Sequence, residues 1–89
     1  MISAKEAKEN VRMFNKCNKI VDEILGVFNC DIRNASLNGL TESKLDVTFE
    51  KEDGLLYICR AVCQKLSDLG YVAHWTREKY DIARIIVSW

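Results

Sequence analysis

Apolar residues recur at 4-3 spacing through the first 37 positions of the chain. Ala4, Ala7, Val11, Phe14, Asn18, Val21, Leu25, Phe28, Ile32 and Ala35 follow that spacing, and Asn18 is the single polar member. A heptad run of this length predicts one helix over 3–37. Its ends carry their own signals. Ser3 followed by Glu6 is a capping box, in which the hydroxyl accepts from an orphan backbone N–H and the carboxylate reaches back. Ile2 and Ala7 occupy the staple positions. Asn38-Gly39 supplies a left-handed C-cap, with Leu40 placed to contact the last turn. Helix propensity is weakest at Gly26 and over Asn29-Cys30-Asp31.

The period then changes. Residues 44–49 alternate with period two, which predicts a half-buried strand with Leu45, Val47 and Phe49 inward and Lys44, Asp46 and Thr48 outward. A polar stretch, Glu50 to Asp53, leads to Gly54, and Asp53 is the expected N-cap of a second helix over 54–69. Leu55, Ile58, Cys59, Val62, Leu66 and Leu69 form one stripe of that helix, and Gly70 ends it. Strands are predicted over 71–77 and 82–89, joined by the polar loop Glu78-Lys79-Tyr80-Asp81. The last strand places Ala83, Ile85, Val87 and Trp89 on one face and Ile82 and Ile86 on the other. A strand apolar on both faces belongs in the middle of a sheet. The order α-β-α-β-β therefore reads as an α+β fold: a long N-terminal helix followed by a split β-α-β-β unit. Its three-stranded sheet is expected to carry both helices on one face, with a right-handed crossover.

The length of the first helix constrains its environment. A helix of ~35 residues is ~50 Å long, whereas a compact domain of this size has a radius of gyration of ~12–13 Å. The helix must project or break, and a projecting apolar seam requires a partner. A second stripe, Met13, Cys17, Ile20, Ile24 and Val27, lies roughly 100° round the helix from the first. Two stripes imply two clients, the chain's own sheet and another chain. On that reading Val11, Phe14, Asn18, Val21, Leu25 and Phe28 form a homo-oligomer interface, and Asn18 fixes its register. The competing arrangement is a monomer in which both stripes form one wide core face. It is favoured by the absence of Leu from the d positions and of paired charge at e and g.

Charge and cysteine content narrow the function classes. The 89 residues make at most one domain, and 13 basic side chains offset 13 acidic ones. That balance removes the general field that attracts nucleic acid or an anionic membrane. No apolar run approaches the ~20 residues of a membrane span. The opening Met1-Ile2-Ser3-Ala4-Lys5-Glu6 lacks signal-peptide character, so a cytoplasmic location is expected, with Cys17, Cys30, Cys59 and Cys63 reduced. Cys59, Cys63, Cys30 and His74 are zinc-type ligands. Yet the four-residue helical step is not knuckle spacing, and Cys59 and Cys63 flank core positions. No metal or cofactor is expected. No P-loop, nucleophile elbow or dinucleotide fingerprint occurs. A Cys–His pair with His74 would lack a third orienting group, and Glu50, Glu52 and Asp53 read as solvated charges. The chain is not expected to be an enzyme.

Recognition-type residues gather late in the sequence. Tyr71, His74, Trp75, Arg77, Tyr80 and Arg84 are of the kinds enriched at binding hot spots. Tyr71 and Trp75 share a parity on their strand. Facing outward beside arginines, they would stack a base or grip a phosphate-bearing ligand. Facing inward, they would be core and the arginines solvated. The alternation is compatible with either.

Several local motifs resemble those of a type of small, mostly uncharacterised bacteriophage protein. They are the opening Ile2-Ser3-Ala4-Lys5-Glu6-Ala7, the turn Leu69-Gly70-Tyr71-Val72 from helix into strand, and the ending Ile86-Val87-Ser88-Trp89. The resemblance covers roughly half the chain. It implies phage origin and a compact α/β fold, and no particular activity. Small phage proteins without catalytic motifs are often binders of host components. The function expected from all this is a non-enzymatic, homo-oligomeric binding protein acting on a host protein, such as a defence factor it inhibits. The alternative is sequestration of a nucleotide-type signal at the Trp75, Arg77 and Arg84 face or between subunits.

Overall fold

The computed structural model describes all 89 residues, Met1–Trp89. Five elements follow in the order α1 (Ala4–Leu37), β1 (Glu42–Thr48), α2 (Glu52–Asp68), β2 (Val72–Lys79) and β3 (Ile82–Ser88). The fold is α+β, with a long N-terminal helix, a second helix and a three-stranded antiparallel sheet.

Local chemistry sets the helix ends. Ser3 Oγ accepts from the Glu6 N–H at 3.1 Å, the hydroxyl half of a capping box. At the other end the Leu40 N–H donates to Ala35 O and the Gly39 N–H to Ser36 O, which is a Schellman motif with Gly39 at φ +76°. α2 closes in the same way, with Tyr71 and Gly70 donating to Leu66 O and Ser67 O and Gly70 at φ +95°. Between its caps α1 runs unbroken through Gly26.

Other boundaries differ from the sequence pattern. Lys51, not Asp53, is the N-cap of α2, and it makes no side-chain cap bond. Glu52 and Asp53 instead occupy the first turn, where carboxylates favour the positive end of the helix dipole. β1 begins at Glu42 and ends at Thr48, with Phe49 buried just beyond it. β2 runs from Val72 to Lys79, further than its pattern indicated, because a register shift between Arg77 and Lys79 leaves Glu78 as an extra residue. The connection to β3 shortens accordingly to Tyr80-Asp81. Leu69 is the C-cap of α2 and points outward rather than onto the core stripe. Trp89 lies beyond β3, edge-on to the Tyr71 ring at 6.4 Å.

The strand order is β1-β3-β2, so β3 is central, as its two-sided apolar pattern predicts. α1 packs over β1, and α2 packs over β2 and β3. The core joins Cys17, Val21, Ile24, Phe28 and Ile32 of α1 to Leu55, Ile58, Cys59, Val62 and Leu66 of α2. The sheet contributes Val47, Phe49, Ala83, Ile85 and Val87. The buried line of α1 thus draws on both apolar stripes and falls between them. The two helices come close at Cys17 and Gly54. A Cβ on Gly54 would run into the Phe49 ring and stand 3.2 Å from Cys17 Sγ.

The length mismatch is resolved by projection. The molecule measures 52 × 24 × 16 Å, and the long dimension matches α1 at 1.5 Å per residue. No apolar residue before Met13 packs against the core cluster. Residues 4–12 form a helical arm.

Gly54→Ala is expected to destabilise the fold by roughly 1–3 kcal/mol through overpacking. Gly26→Ala, which faces open space, is expected to stabilise it by about 0.5–1 kcal/mol through helix propensity. Urea unfolding of the two variants checks both signs.

Candidate binding surfaces

Strand register settles which way the recognition residues point. Ala73 pairs with Val87 and Trp75 with Ile85, and both partners are buried under the helices. Trp75 therefore leans toward the helices and packs half-buried against the core. Tyr71 does the same at the start of the strand. Arg77 shares that side, and its guanidinium donates to Glu52 of α2 at 2.8 Å. His74 and Arg84 have the opposite parity, and Tyr80 is exposed in the turn. The six residues expected to form one surface are thus divided between two faces and a loop tip. The division follows from the period of two: neighbours along a strand cannot share a face.

The face away from the helices is uncovered. Across it run the rows Lys44–Ile86–His74 and Asp46–Arg84–Thr76, with Ile82 opposite Thr48 further along β3. Arg84 Nε donates to Asp46 Oδ1 at 2.8 Å, and its Nη1 lies 3.8 Å from Glu78 Oε1. The hydrogen bond from Arg84 holds the Asp46 carboxyl below its ordinary pKa. The contribution of that pair is complete at neutral pH and is lost as pH falls through the lowered value. Being solvent-exposed, the pair orients Arg84 more than it stabilises the fold. Arg84 lies between Ile82 and Ile86 on the same face of β3, and both isoleucines are only partly covered. An oriented arginine between aliphatic side chains has the make-up of an interface centre.

Two grooves lie on the helix side. One, of about 520 Å³, is shallow and lined by Arg60, Cys63 and Gln64 of α2 with Ala73 and Trp75 of β2. The other, of about 370 Å³, is mainly apolar and sits at the C-terminal ends of both helices, between Leu25, Ile32, Leu66, Leu69 and Tyr71.

The expected interface on α1 is also divided. Val21 and Phe28 are 2% and 0% exposed inside the chain's own core, so they are not available to a second chain. They are buried because the sheet and α2 pack on the line between the two apolar stripes. Asn18 has a partner within the chain: its Oδ1 accepts from the Tyr57 hydroxyl at 2.6 Å. The Phe14 ring rests on the same tyrosine, centroids 4.9 Å apart. Tyr57 lies one residue off the apolar stripe of α2, and that offset is its only trace in the sequence. Val11 and Phe14 remain 59% and 49% exposed, and Leu25 is partly so.

Three of the four cysteines, Cys17, Cys59 and Cys63, pack in or against the core. Cys17 and Cys59 are buried, Cys63 is half-buried and Cys30 is exposed. Burial pushes the Cys59 thiol up to about 11 and raises Cys63 and Cys17 as well. Such thiols are protonated at neutral pH and are not activated nucleophiles. No three His, Cys, Asp or Glu side chains gather closely enough to hold a metal ion. No helix is long and apolar enough to cross a membrane. Comparison with protein-family models, curated proteins and solved structures finds no match to the chain.

Alkylation at pH 8, read by mass spectrometry, is expected to modify Cys30 first. Cys59 is expected to stay unmodified until the protein unfolds. Rapid labelling of native Cys59 would contradict the burial and the raised pKa together.

Proposed function

We propose that the protein is a non-enzymatic binding protein. It engages another protein through the open face of its sheet and self-associates through α1. The observation that carries this reading is the uncovered side of β3, where Ile82 and Ile86 flank an Arg84 held by Asp46 and Glu78. An arginine already oriented loses less side-chain freedom on binding. A flat face suits a protein surface better than a small molecule, which needs a concave site. Lys44, His74 and Thr76 supply a polar rim around the apolar pair. The resemblance to small phage proteins supports a host protein as the partner. Occupation of a functional surface would make the outcome inhibition, as of a host defence factor, in the host cytoplasm.

A second reading has one observation in its favour. Arg60 and Trp75 line the same shallow groove, and a guanidinium beside an indole can hold a nucleotide-type ligand.

Capture from a bacterial host lysate separates the two. Arg84→Glu and Ile86→Glu are expected to abolish partner capture with little change in melting temperature, while Arg60→Ala retains it. Retention of every partner by both open-face variants overturns the protein-binding surface. A rise in Tm with saturating nucleotide that Arg60→Ala abolishes would establish the ligand reading instead.

A further inference from the structure

We infer that two copies of the chain pair through antiparallel α1 helices, each arm lying in the apolar groove at the helix ends of the other, with Val11 against Leu25. This rests on the self-association proposed above and adds its direction and register.

The arm and the groove are complementary in shape and character. The arm offers Ala4, Ala7, Val11 and Phe14 and has no core of its own before Met13. The groove is walled by the partly buried Leu25 and Tyr71 over a floor of the core residues Ile32 and Leu66, with Leu69 left 73% exposed on its rim. Val11, Asn18 and Leu25 lie along one side of α1, beside α2, with Asn18 half-buried between arm and groove. Val11 and Leu25 are each seven residues from Asn18, or ~10 Å along the helix axis. A two-fold axis beside Asn18 therefore sets each Val11 on the Leu25 of the other copy and each Ala4 level with the end of its groove at Asn29 and Ile32. The small side chains at the end of the arm let the helices approach closely. On the axis the two Asn18 side chains meet. Each has an oxygen occupied by Tyr57 and keeps its amide N–H groups for the other copy.

Charge sets the direction. Residues 4–19 carry Lys5, Lys8, Arg12, Lys16 and Lys19 against Glu6 and Glu9. Residues 20–37 carry Asp22, Glu23 and Asp31 against Arg33, and the last turn has no basic residue. This polarity opposes the macrodipole of α1, which favours acidic residues at the N-terminus and basic ones at the C-terminus. The distribution is unfavourable for the isolated helix and favourable for an antiparallel pair, whose basic half lies over the acidic half of its mate. A parallel pair would place like charges together. The antiparallel pair is also closed: one two-fold axis covers both arms and both grooves.

Sedimentation equilibrium at tens of micromolar, together with engineered cross-linking, tests this. The wild type is expected to be a dimer. Val11→Glu, a change on the arm outside the folded body, is expected to weaken dimerisation by about 30-fold or more with unchanged circular dichroism. In a Cys30→Ser background, oxidation should link the double variant Val11→Cys, Leu25→Cys into a covalent dimer, while Val11→Cys alone stays unlinked. A dimer in which Val11→Cys alone links to itself overturns the antiparallel direction and leaves self-association standing. A dimer indifferent to Val11→Glu overturns the arm-in-groove contact in the same way. A monomeric wild type overturns both the pairing and the self-association it rests on.

Discussion

α1 is about twice as long as the sheet it packs on. Strands of seven or eight residues span ~25 Å at ~3.3 Å per residue, against ~50 Å for the helix. One half of α1 can therefore be buried and the other cannot. The buried half begins near Met13 and Cys17, where the Gly54 backbone admits α1 close to α2. Every other property of the molecule follows from that division: a core built from the C-terminal half of the helix, and an arm that leaves Val11 and Phe14 in solvent.

The sheet presents a second imbalance. Both helices occupy one face, yet β3 is apolar on both. The buried side carries Ala83, Ile85 and Val87, and the open side carries Ile82 and Ile86 around Arg84. A sheet with one solvated face ordinarily alternates cleanly between apolar and polar. The departure from that rule falls on the central strand. The exposed arm belongs to the helix layer and the open face to the other side of the sheet, so the self-association and the partner binding proposed above use separate surfaces.

The recognition residues illustrate how much a strand register decides. Val72-Ala73-His74-Trp75-Thr76 has apolar character at both parities, so hydrophobic alternation alone does not orient it. Pairing of Trp75 with Ile85 turns Trp75 and Arg77 toward the helices and leaves His74 on the other face. A shift of one residue would have exchanged them. The bulge at Glu78 had no compositional signal either, since it arises from matching two strands rather than from one.

The sequence by itself determined the elements, their order, the Ser3 and glycine caps and the central place of β3. These rest on periods of 3.6 and 2 and on bonds between residues three to five apart, and both are local properties of the chain. Only the tertiary structure decided which line of α1 is core, which face Trp75 takes and what Asn18 binds. Val21 and Phe28 belong to an unbroken heptad seam, and nothing local distinguishes them from Val11 and Phe14. The Asn18–Tyr57 hydrogen bond joins residues 39 positions apart. No local period carries a contact of that kind, because it exists only once α2 has been brought alongside α1.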